Sequence, residues 1–212
     1  MRPTNHIVLA TLNKGKIEEY KLLFKDHPEY QLKTLDEVAF NPSALSKVET
    51  GKTYYENAFL KAKVGHFCGK YPTISDDSGL EVDALSGRPG VFSDRYAEPK
   101  EGESKSAANI RKLLEELKGV PKEKRTAKFV CTVVFMVEGV VLTASESISG
   151  TILEAPRGNL GFGYDPIFLV DGTDKSFAEL TGEEKNKISH RAKAFRALID
   201  QIKQKHIQLV HP

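Results

Sequence analysis

Two adjacent carboxylates, Asp76 and Asp77, stand at a predicted strand end and precede Ser78 and Gly79. Adjacent acids suit a hard cation, because Mg²⁺ in proteins takes one or two carboxylates and completes its shell with water and phosphate oxygens. A carboxylate at such a site can also accept a proton from water. The alternative is an Asx turn that caps a loop. Glu49 would add another carboxylate, although taken alone it is typical of an exposed loop.

The segment from Thr11 to Lys16 follows a predicted strand and precedes a predicted helix. Backbone N–H groups at a helix N-terminus favour an anion, and Lys16 adds a full positive charge there. The spacing matches neither G-x-x-x-x-G-K-[ST] nor G-x-G-x-x-G. The segment therefore predicts a phosphate contact of another type, and the alternative is an ordinary strand-to-helix turn with solvated lysines.

Two further candidates lie in the C-terminal part of the sequence. Glycines on both sides of Phe162 allow close backbone approach and leave the ring accessible for stacking on a base, whereas the alternative places this ring in the core. Ser189 is a predicted helix N-cap, so His190 and Arg191 fall in the first turn. Because a cation there opposes the helix dipole, we expect Arg191 to face a negative group or a carbonyl acceptor, with a surface salt bridge as the alternative.

Hydrophobic periodicity predicts the elements that position these segments. Helices alternate with strands at the start and a hairpin follows, so the fold class is α/β with a mixed sheet. The segments 72–99 and 155–182 are rich in Gly, Pro, Asp and Ser and are predicted to be functional loops. The predicted elements are a strand at 7–10, a helix over 17–24, a helix that starts near Thr53, a helix over about 104–118, a central strand at 128–137, strands at 140–144 and 146–152, and a last helix over about 188–202.

Composition and net charge argue against several classes of protein. The 212 residues are 40% hydrophobic, which predicts a globular protein with one domain, or two tightly fused lobes, over residues 1–212. The net charge of +2 and the lack of a basic stripe argue against a nucleic-acid-binding protein. Cys68 and Cys131 are expected to be reduced and buried. No apolar run reaches the ~20 residues of a membrane span, and we expect a cytoplasmic protein.

Together these segments resemble the Ham1 family, the inosine triphosphate pyrophosphatases. The resemblance extends in order over about residues 7–200, nearly the whole chain. Its matching pieces are Ala10-Thr11-x-Asn13-x-x-Lys16, Glu49-Thr50-Gly51, Glu56-Asn57-Ala58-x-x-Lys61-Ala62, Asp76-Asp77-Ser78-Gly79-Leu80, Gly87-x-Pro89-Gly90-Val91-x-Ser93-x-Arg95-Tyr96-Ala97, Gly161-Phe162-Gly163-Tyr164-Asp165-Pro166 and Ser189-His190-Arg191.

The resemblance implies a role for each matching position. Asp77 matches the family's proton acceptor and Mg²⁺-associated acid, Glu49 a second acid near the metal, and Ser78 a substrate contact. Leu12 departs from the pattern, since many members carry Gly or Ser there. The residues that match the triphosphate-binding loop are Thr11, Asn13 and Lys16, and those that match the surroundings of the base are Phe162, Gly163, Tyr164, Asp165, Lys185, His190 and Arg191.

The implied fold is an elongated, two-lobed α/β molecule with a central mixed β-sheet flanked by helices. The implied nucleotide site lies in a cleft between the lobes, and members are usually homodimers. The implied activity is Mg²⁺-dependent hydrolysis of purine nucleoside triphosphates with a deaminated base, namely ITP, dITP and XTP, to the monophosphate and pyrophosphate.

The base chemistry supports this activity physically. Hypoxanthine presents O6 as an acceptor and N1–H as a donor, which Arg191 and Asp165 complement, whereas adenine presents the opposite pattern. Guanine shares the inosine pattern at these two atoms, so its exclusion would depend on its 2-amino group. The alternative function is a non-catalytic purine nucleotide-sensing module, which would need the phosphate loop and Phe162 but not Asp77.

Overall fold

The computed structural model describes residues 5–38, 41, 44–45, 48–207 and 209. None of the helices in this part of the chain has the length and apolar character needed to cross a membrane. In chain order the elements are β1 (His6–Leu9), α1 (Lys14–Phe24), β2 (Gln31–Lys33), α2 (Tyr54–Gly69), β3 (Thr73–Val82), α3 (Lys105–Glu116), β4 (Thr126–Val137), β5 (Val140–Ile152), β6 (Phe168–Val170), α4 (Gly182–Ile188) and α5 (His190–Gln204).

The strands form one six-stranded sheet in the order β2-β1-β3-β4-β5-β6. Strand β1 is parallel to both of its neighbours, with His6 opposite Gln31 and Leu9 opposite Ile74. Strand β6 is antiparallel to β5, with Gly150 opposite Val170. The predicted α/β fold with a mixed sheet is thereby confirmed, and β4 occupies the central position that its apolar sequence predicts.

Backbone packing divides the chain into two compact units. The first unit comprises residues 1–77, 131–146 and 191–212, and the second comprises 78–130 and 147–190. The first unit has a core in which the rings of Tyr20 and Phe195 meet edge to face at 5.7 Å. The expected single domain, lobes, cleft and homodimer stay predictions.

The second unit has its own aromatic core. The ring of Phe129 lies 4.6 Å from that of Phe168 and 5.8 Å from that of Phe177. Aliphatic side chains of α3 complete this core, and Leu113 and Leu117 are fully buried there as the helical periodicity predicts.

The largest correction concerns strand β3, because residues 72–99 were predicted to be a loop. The strand Thr73–Val82 runs through this segment, and Asp76 and Asp77 lie in its middle rather than at its end. Eight of its ten residues are buried. One of the buried polar groups is satisfied by another element, since Ser75 Oγ donates to the carbonyl of Ala58 at 2.5 Å. The prediction of a loop was therefore wrong for residues 73–82, because a composition rich in Gly, Asp and Ser also occurs in this buried strand.

Two strand boundaries and one helix boundary also differ from prediction. The strands expected at 140–144 and 146–152 form the single strand β5, and the short strand β6 interrupts the predicted loop 155–182. Ile188 ends α4 instead of contributing to the stripe of the last helix, which begins at His190. Ser189, whose backbone is extended, separates the two helices as the capping argument requires.

Local capping correctly predicts the start of α2. Thr53 Oγ1 accepts the N–H of Glu56 at 3.1 Å, and the Glu56 carboxylate accepts the N–H of Thr53 at 3.2 Å. The apolar residues at positions 55, 58, 59 and 62 predict one buried face for this helix, but Tyr55 is 44% exposed. Both cysteines are free, yet only Cys131 is buried, whereas Cys68 is exposed.

Candidate active site

The turn between β1 and α1 is organised by two polar side chains. Asn13 caps α1, since its Oδ1 accepts the N–H of Lys16 at 3.1 Å, and Thr11 Oγ1 accepts the N–H of Asn13 at 3.2 Å. Leu12 is 46% exposed, so the bulkier side chain leaves these two hydrogen bonds intact. Thr11 and Asn13 thus shape the turn, and their contact with a triphosphate stays a prediction.

The first turn of α1 directs the Lys16 side chain onto strand β3. Lys16 Nζ lies 2.9 Å from Asp76 Oδ2 and 3.3 Å from the Asp76 carbonyl oxygen. Asp76 is fully buried, and burial alone would raise the pKa of its carboxyl. The positive charges of Lys16 and Arg191 outweigh burial and hold that pKa well below its usual range. Asp76 is therefore a charged group in the protein interior.

Arg191 links the Lys16–Asp76 pair to Glu19, which makes a buried cluster of four charges. Its Nε lies 3.2 Å from Asp76 Oδ2, and its Nη1 pairs with Glu19. Lys16 and Glu19 are three residues apart on α1, so one face of this helix supplies both a cation and an anion. Sequence reasoning missed Glu19, although its spacing from Lys16 was a signal.

The structure shows which partners satisfy the Arg191 guanidinium. The side chain lies at the start of α5 and faces negative groups, as the helix-dipole argument expects. These groups belong to the protein itself, and the residue is only 2% exposed. The geometry therefore favours support of Asp76, while contact of Arg191 with a purine base stays a prediction.

Asp77 faces away from this cluster of charges, because successive side chains of a strand point to opposite faces of the sheet. Its Oδ2 accepts a hydrogen bond from Asn57 Nδ2 at 2.9 Å, and its Oδ1 lies 3.7 Å from Lys61 Nζ. The residue is 8% exposed. Burial raises the pKa of the Asp77 carboxyl, and the nearby lysines offset this only in part. Ser78 follows in β3 and is half-buried.

Lys61 joins Asp77 to the second predicted acid. Its Nζ lies 2.7 Å from Glu49 Oε1, and the lysine is 3% exposed. Burial would lower the pKa of Lys61, but Asp77 and Glu49 outweigh it and raise that pKa. Asn57 and Lys61 both lie in the matching segments of the Ham1 resemblance. Helix α2 places both beside the predicted acid pair. The two carboxylates thus converge on one positive charge.

The donors around Asp77 fit Mg²⁺. Asp77 and Glu49 supply carboxylate oxygens that already share a cation, the Lys61 ammonium. Within the described ranges, no three His, Cys, Asp or Glu side chains are grouped as a metal site. Mg²⁺ does not require such a group, since it keeps water and phosphate ligands beside one or two carboxylates.

In the second unit, a tight turn presents Phe162. Gly161 has φ of +73°, and a Cβ there would lie 2.1 Å from Asp165 Oδ2. Only glycine permits this approach, and the same Oδ2 accepts the N–H of Phe162 at 2.9 Å. Phe162 is half-buried, and the backbone of Gly163 is also left-handed with open space at its Cβ position.

Buried polar groups support this turn from helix α4 and the core. Lys185 Nζ lies 2.5 Å from Asp165 Oδ2 and 5.0 Å from the centroid of the Phe162 ring. Tyr164 is 4% exposed and donates its hydroxyl to the carbonyl of Ser93 at 2.9 Å. The His190 ring stacks on a core phenylalanine at 4.9 Å. Six of the seven predicted base-contacting residues thus lie in the second unit, and their contact with a base stays a prediction.

Lys16, in the first turn of α1, is placed to attract an anion such as a phosphate, and the glycine-flanked ring of Phe162 is placed to stack on an aromatic base. The sequence model of the Ham1 family matches residues 7–201. The chain belongs to the Ham1 family.

Individual relatives agree over nearly the whole chain. The chain is 47% identical over 193 residues to a dITP/XTP pyrophosphatase of Bacillus subtilis (strain 168), covering 90% of this chain and 93% of that protein. It is 50% identical over 197 residues to a dITP/XTP pyrophosphatase of Geobacillus kaustophilus, with coverages of 92% and 93%. The structure of the Staphylococcus aureus Ham1 protein matches with a TM-score of 0.77 and 39% identity, over 94% of this chain and 99% of that one.

Proposed function

We propose that this chain hydrolyses purine nucleoside triphosphates that carry a deaminated base, namely ITP, dITP and XTP, to the monophosphate and pyrophosphate. Family membership and relatives named dITP/XTP pyrophosphatase support the substrate class. The observation that carries the proposal is the position of Asp77. A nearly buried carboxylate is fixed there by Asn57 and faced by a lysine, beside a second acid on the same lysine.

In the proposed reaction, a water oxygen attacks the α-phosphorus while the bond between that phosphorus and the bridging oxygen of the β-phosphate breaks. Pyrophosphate leaves, and the proton of the attacking water passes to an Asp77 oxygen. Asn57 holds the other oxygen through its 2.9 Å hydrogen bond, so the carboxylate has a defined orientation. A carboxylate held in one orientation lowers the entropic cost of reaching the reactive geometry.

Positive charge at the phosphates would come from the lysines and from a metal. Lys16 and Lys61 each stand beside a carboxylate of β3 and would stabilise negative charge that grows on phosphate oxygens. Asp77 and Glu49 would hold Mg²⁺, which when bound neutralises triphosphate charge. Thr11, Asn13 and Ser78 would contact the phosphates and sugar as the resemblance implies.

Base selection would come from the Phe162 turn. The half-buried ring would stack on the purine, and Asp165 would accept N1–H of hypoxanthine. Lys185 Nζ lies 2.5 Å from Asp165 Oδ2 and so holds the carboxylate in place. Adenine, which has no N1–H, would leave that acceptor unsatisfied, and a buried unpaired group strongly disfavours the wrong substrate.

Product analysis tests this function. The purified chain is incubated with ITP, dITP, XTP, ATP and GTP, with Mg²⁺ or with excess EDTA, and the phosphate products are separated. Pyrophosphate with IMP, dIMP or XMP is expected only with Mg²⁺, with kcat/KM for ITP exceeding that for ATP by ~10⁴, the discrimination available to a site with a dedicated hydrogen bond. Release of orthophosphate and a diphosphate would contradict α-phosphorus attack, and tight ITP binding without turnover would favour the sensing module.

A homodimer and a cytoplasmic location belong to the same proposal, because the family resemblance implies them. Light scattering coupled to size exclusion is expected to give twice the mass of one chain. A single-chain mass at micromolar concentration would contradict the dimer.

A further inference from the structure

We propose that Asn57 is a positioning residue whose carboxamide ties the 49–51 loop to Asp77, so that the Glu49 and Asp77 carboxylates are presented together. The inference rests on the proposed function, because it concerns the two acids proposed to hold Mg²⁺. It adds a residue that has no direct role in proton transfer or in phosphate binding.

The Asn57 carboxamide accepts one hydrogen bond from the 49–51 loop and donates another to Asp77. Its Oδ1 accepts the N–H of Gly51 at 2.7 Å, and its Nδ2 donates to Asp77 Oδ2 at 2.9 Å. The side chain is 1% exposed, so water does not compete for either bond. The Gly51 N–H can only donate, which fixes Oδ1 toward the loop and Nδ2 toward the carboxylate.

Helix α2 holds this carboxamide rigidly in place. The Asn57 N–H donates to the Thr53 carbonyl at 3.2 Å, within the first turn of a helix fixed by its capping box. The 49–51 loop has no regular secondary structure of its own. Since Glu49 lies two residues before Gly51, the bond to Asn57 limits how far the Glu49 backbone can move from Asp77.

Gly51 lets the loop lie directly against helix α2. A Cβ there would lie 2.6 Å from Glu56 Cβ, 2.7 Å from Asn57 Oδ1 and 2.9 Å from the Asn57 backbone nitrogen. The backbone of the loop and the backbone of α2 thus approach more closely than any larger residue allows. The loop is seated against the helix at the point where Asn57 binds it.

Outer partners of metal ligands commonly affect metal affinity or activity by 10–100-fold when removed. Asn57→Ala removes both hydrogen bonds. Asn57→Asp keeps the acceptor for Gly51 and the side-chain volume, but it replaces the donor toward Asp77 with an oxygen. Gly51→Ala forces the loop and the Asn57 carboxamide apart without removing the carboxamide.

The experiment measures pyrophosphate release from ITP as a function of Mg²⁺, together with Mn²⁺ binding by electron paramagnetic resonance with and without the α,β-imido analogue of ITP. For Asn57→Ala we expect kcat to fall and the Mg²⁺ midpoint to rise, each by ~10-fold or more, with KM for ITP at saturating Mg²⁺ changed less than ~3-fold. Mn²⁺ binding is expected to weaken in parallel. Gly51→Ala should show the same pattern, and the double variant should be no worse than Asn57→Ala alone.

Thr53→Ala is the matched control, because it removes the cap of the same helix one turn away and leaves the carboxamide in place. Its kcat and Mg²⁺ midpoint are expected to stay within ~2-fold of the wild type while its Tm falls. Equal losses in Thr53→Ala, or an unchanged Mg²⁺ midpoint in both Asn57→Asp and Gly51→Ala, would overturn the inference. If Asn57→Ala does not fold, the volume-conserving variant Asn57→Asp and the loop variant Gly51→Ala decide.

Failure of the proposed function gives a different result. A wild type that binds Mn²⁺ but releases no pyrophosphate overturns the function, and the binding data still test the role of Asn57. A wild type that binds no Mn²⁺ under either condition overturns the metal role of the two acids and the inference with it.

Discussion

Replacement of Arg191 separates two explanations of why this residue stands at the start of α5. The base-contact explanation predicts that Arg191→Met lowers kcat/KM for ITP by ~10² and barely changes the low value for ATP. The buried cluster of charges instead predicts that the folded protein becomes less stable, since Asp76 and Glu19 each lose a cation. It also predicts similar relative losses for both substrates, because Asp76 in turn anchors Lys16.

The size of the stability loss follows from the geometry. Opposite charges 3.2 Å apart, as between Arg191 Nε and Asp76 Oδ2, attract by about 5 kcal/mol at an effective dielectric constant of 20. Desolvation cancels much of this in the intact pair, but removal of one partner leaves buried charge uncompensated and costs ~3–5 kcal/mol. For a chain of this length, each kcal/mol shifts Tm by ~2–4 °C, so we expect a decrease of about 10 °C.

Thermal unfolding by circular dichroism and paired kcat/KM values for ITP and ATP measure both effects. Arg191→Lys should recover only part of the stability, because an ammonium lacks the planar fork that meets two carboxylates. In a cycle with Glu19→Gln, the double variant should be more stable than the sum of the single losses by ~1–3 kcal/mol. A Tm within ~2 °C of the wild type, combined with a loss confined to ITP, would refute the reasoning and restore the base contact.

Three other substitutions test the remaining assignments. Asp77→Asn should lower kcat by ~10² or more with little change in Tm, and retention of over a tenth of the activity in the pyrophosphate assay would remove it as proton acceptor. Lys16→Ala should raise KM and lower kcat for ITP, and it should also lower Tm because Asp76 loses a partner; kinetics identical to the wild type would make Lys16 purely structural. Phe162→Ala should weaken ITP binding by ~1–3 kcal/mol in calorimetry without a large Tm change, since the ring is half-buried, and unaltered affinity would exclude stacking.

Sequence alone predicts the parts of this fold that depend on near neighbours. The start of α2 is one example, because Thr53 and Glu56 satisfy each other's backbone within one turn. The central strand β4 is another, because its apolar residues are contiguous. The glycine-flanked Phe162 turn is also correctly located, since glycine at positive φ is a local requirement.

The parts that could not be predicted depend on partners far along the chain. Asp76 has the composition of a loop residue, and its presence in a buried strand is explained only by Lys16, 60 positions earlier, and Arg191, 115 positions later. Asn57 is in the same situation, because its significance comes from Asp77, 20 positions away. Periodicity reports which face of an element is apolar, but it contains no information about which distant charge satisfies a polar residue.

The pairing of Glu19 with Arg191 sets an order of events during synthesis. The two residues are 172 positions apart, which at ~5–20 residues per second corresponds to roughly 10–30 s of translation. Throughout that interval the nascent chain contains Glu19, and from residue 76 onward also Asp76, without the guanidinium that pairs with both. A message that stops before codon 191 yields a product without that cation, whereas residues 78–130 and 147–190 are by then complete. The first unit can therefore be completed only after the residues of the second unit have been made, although it contains β1.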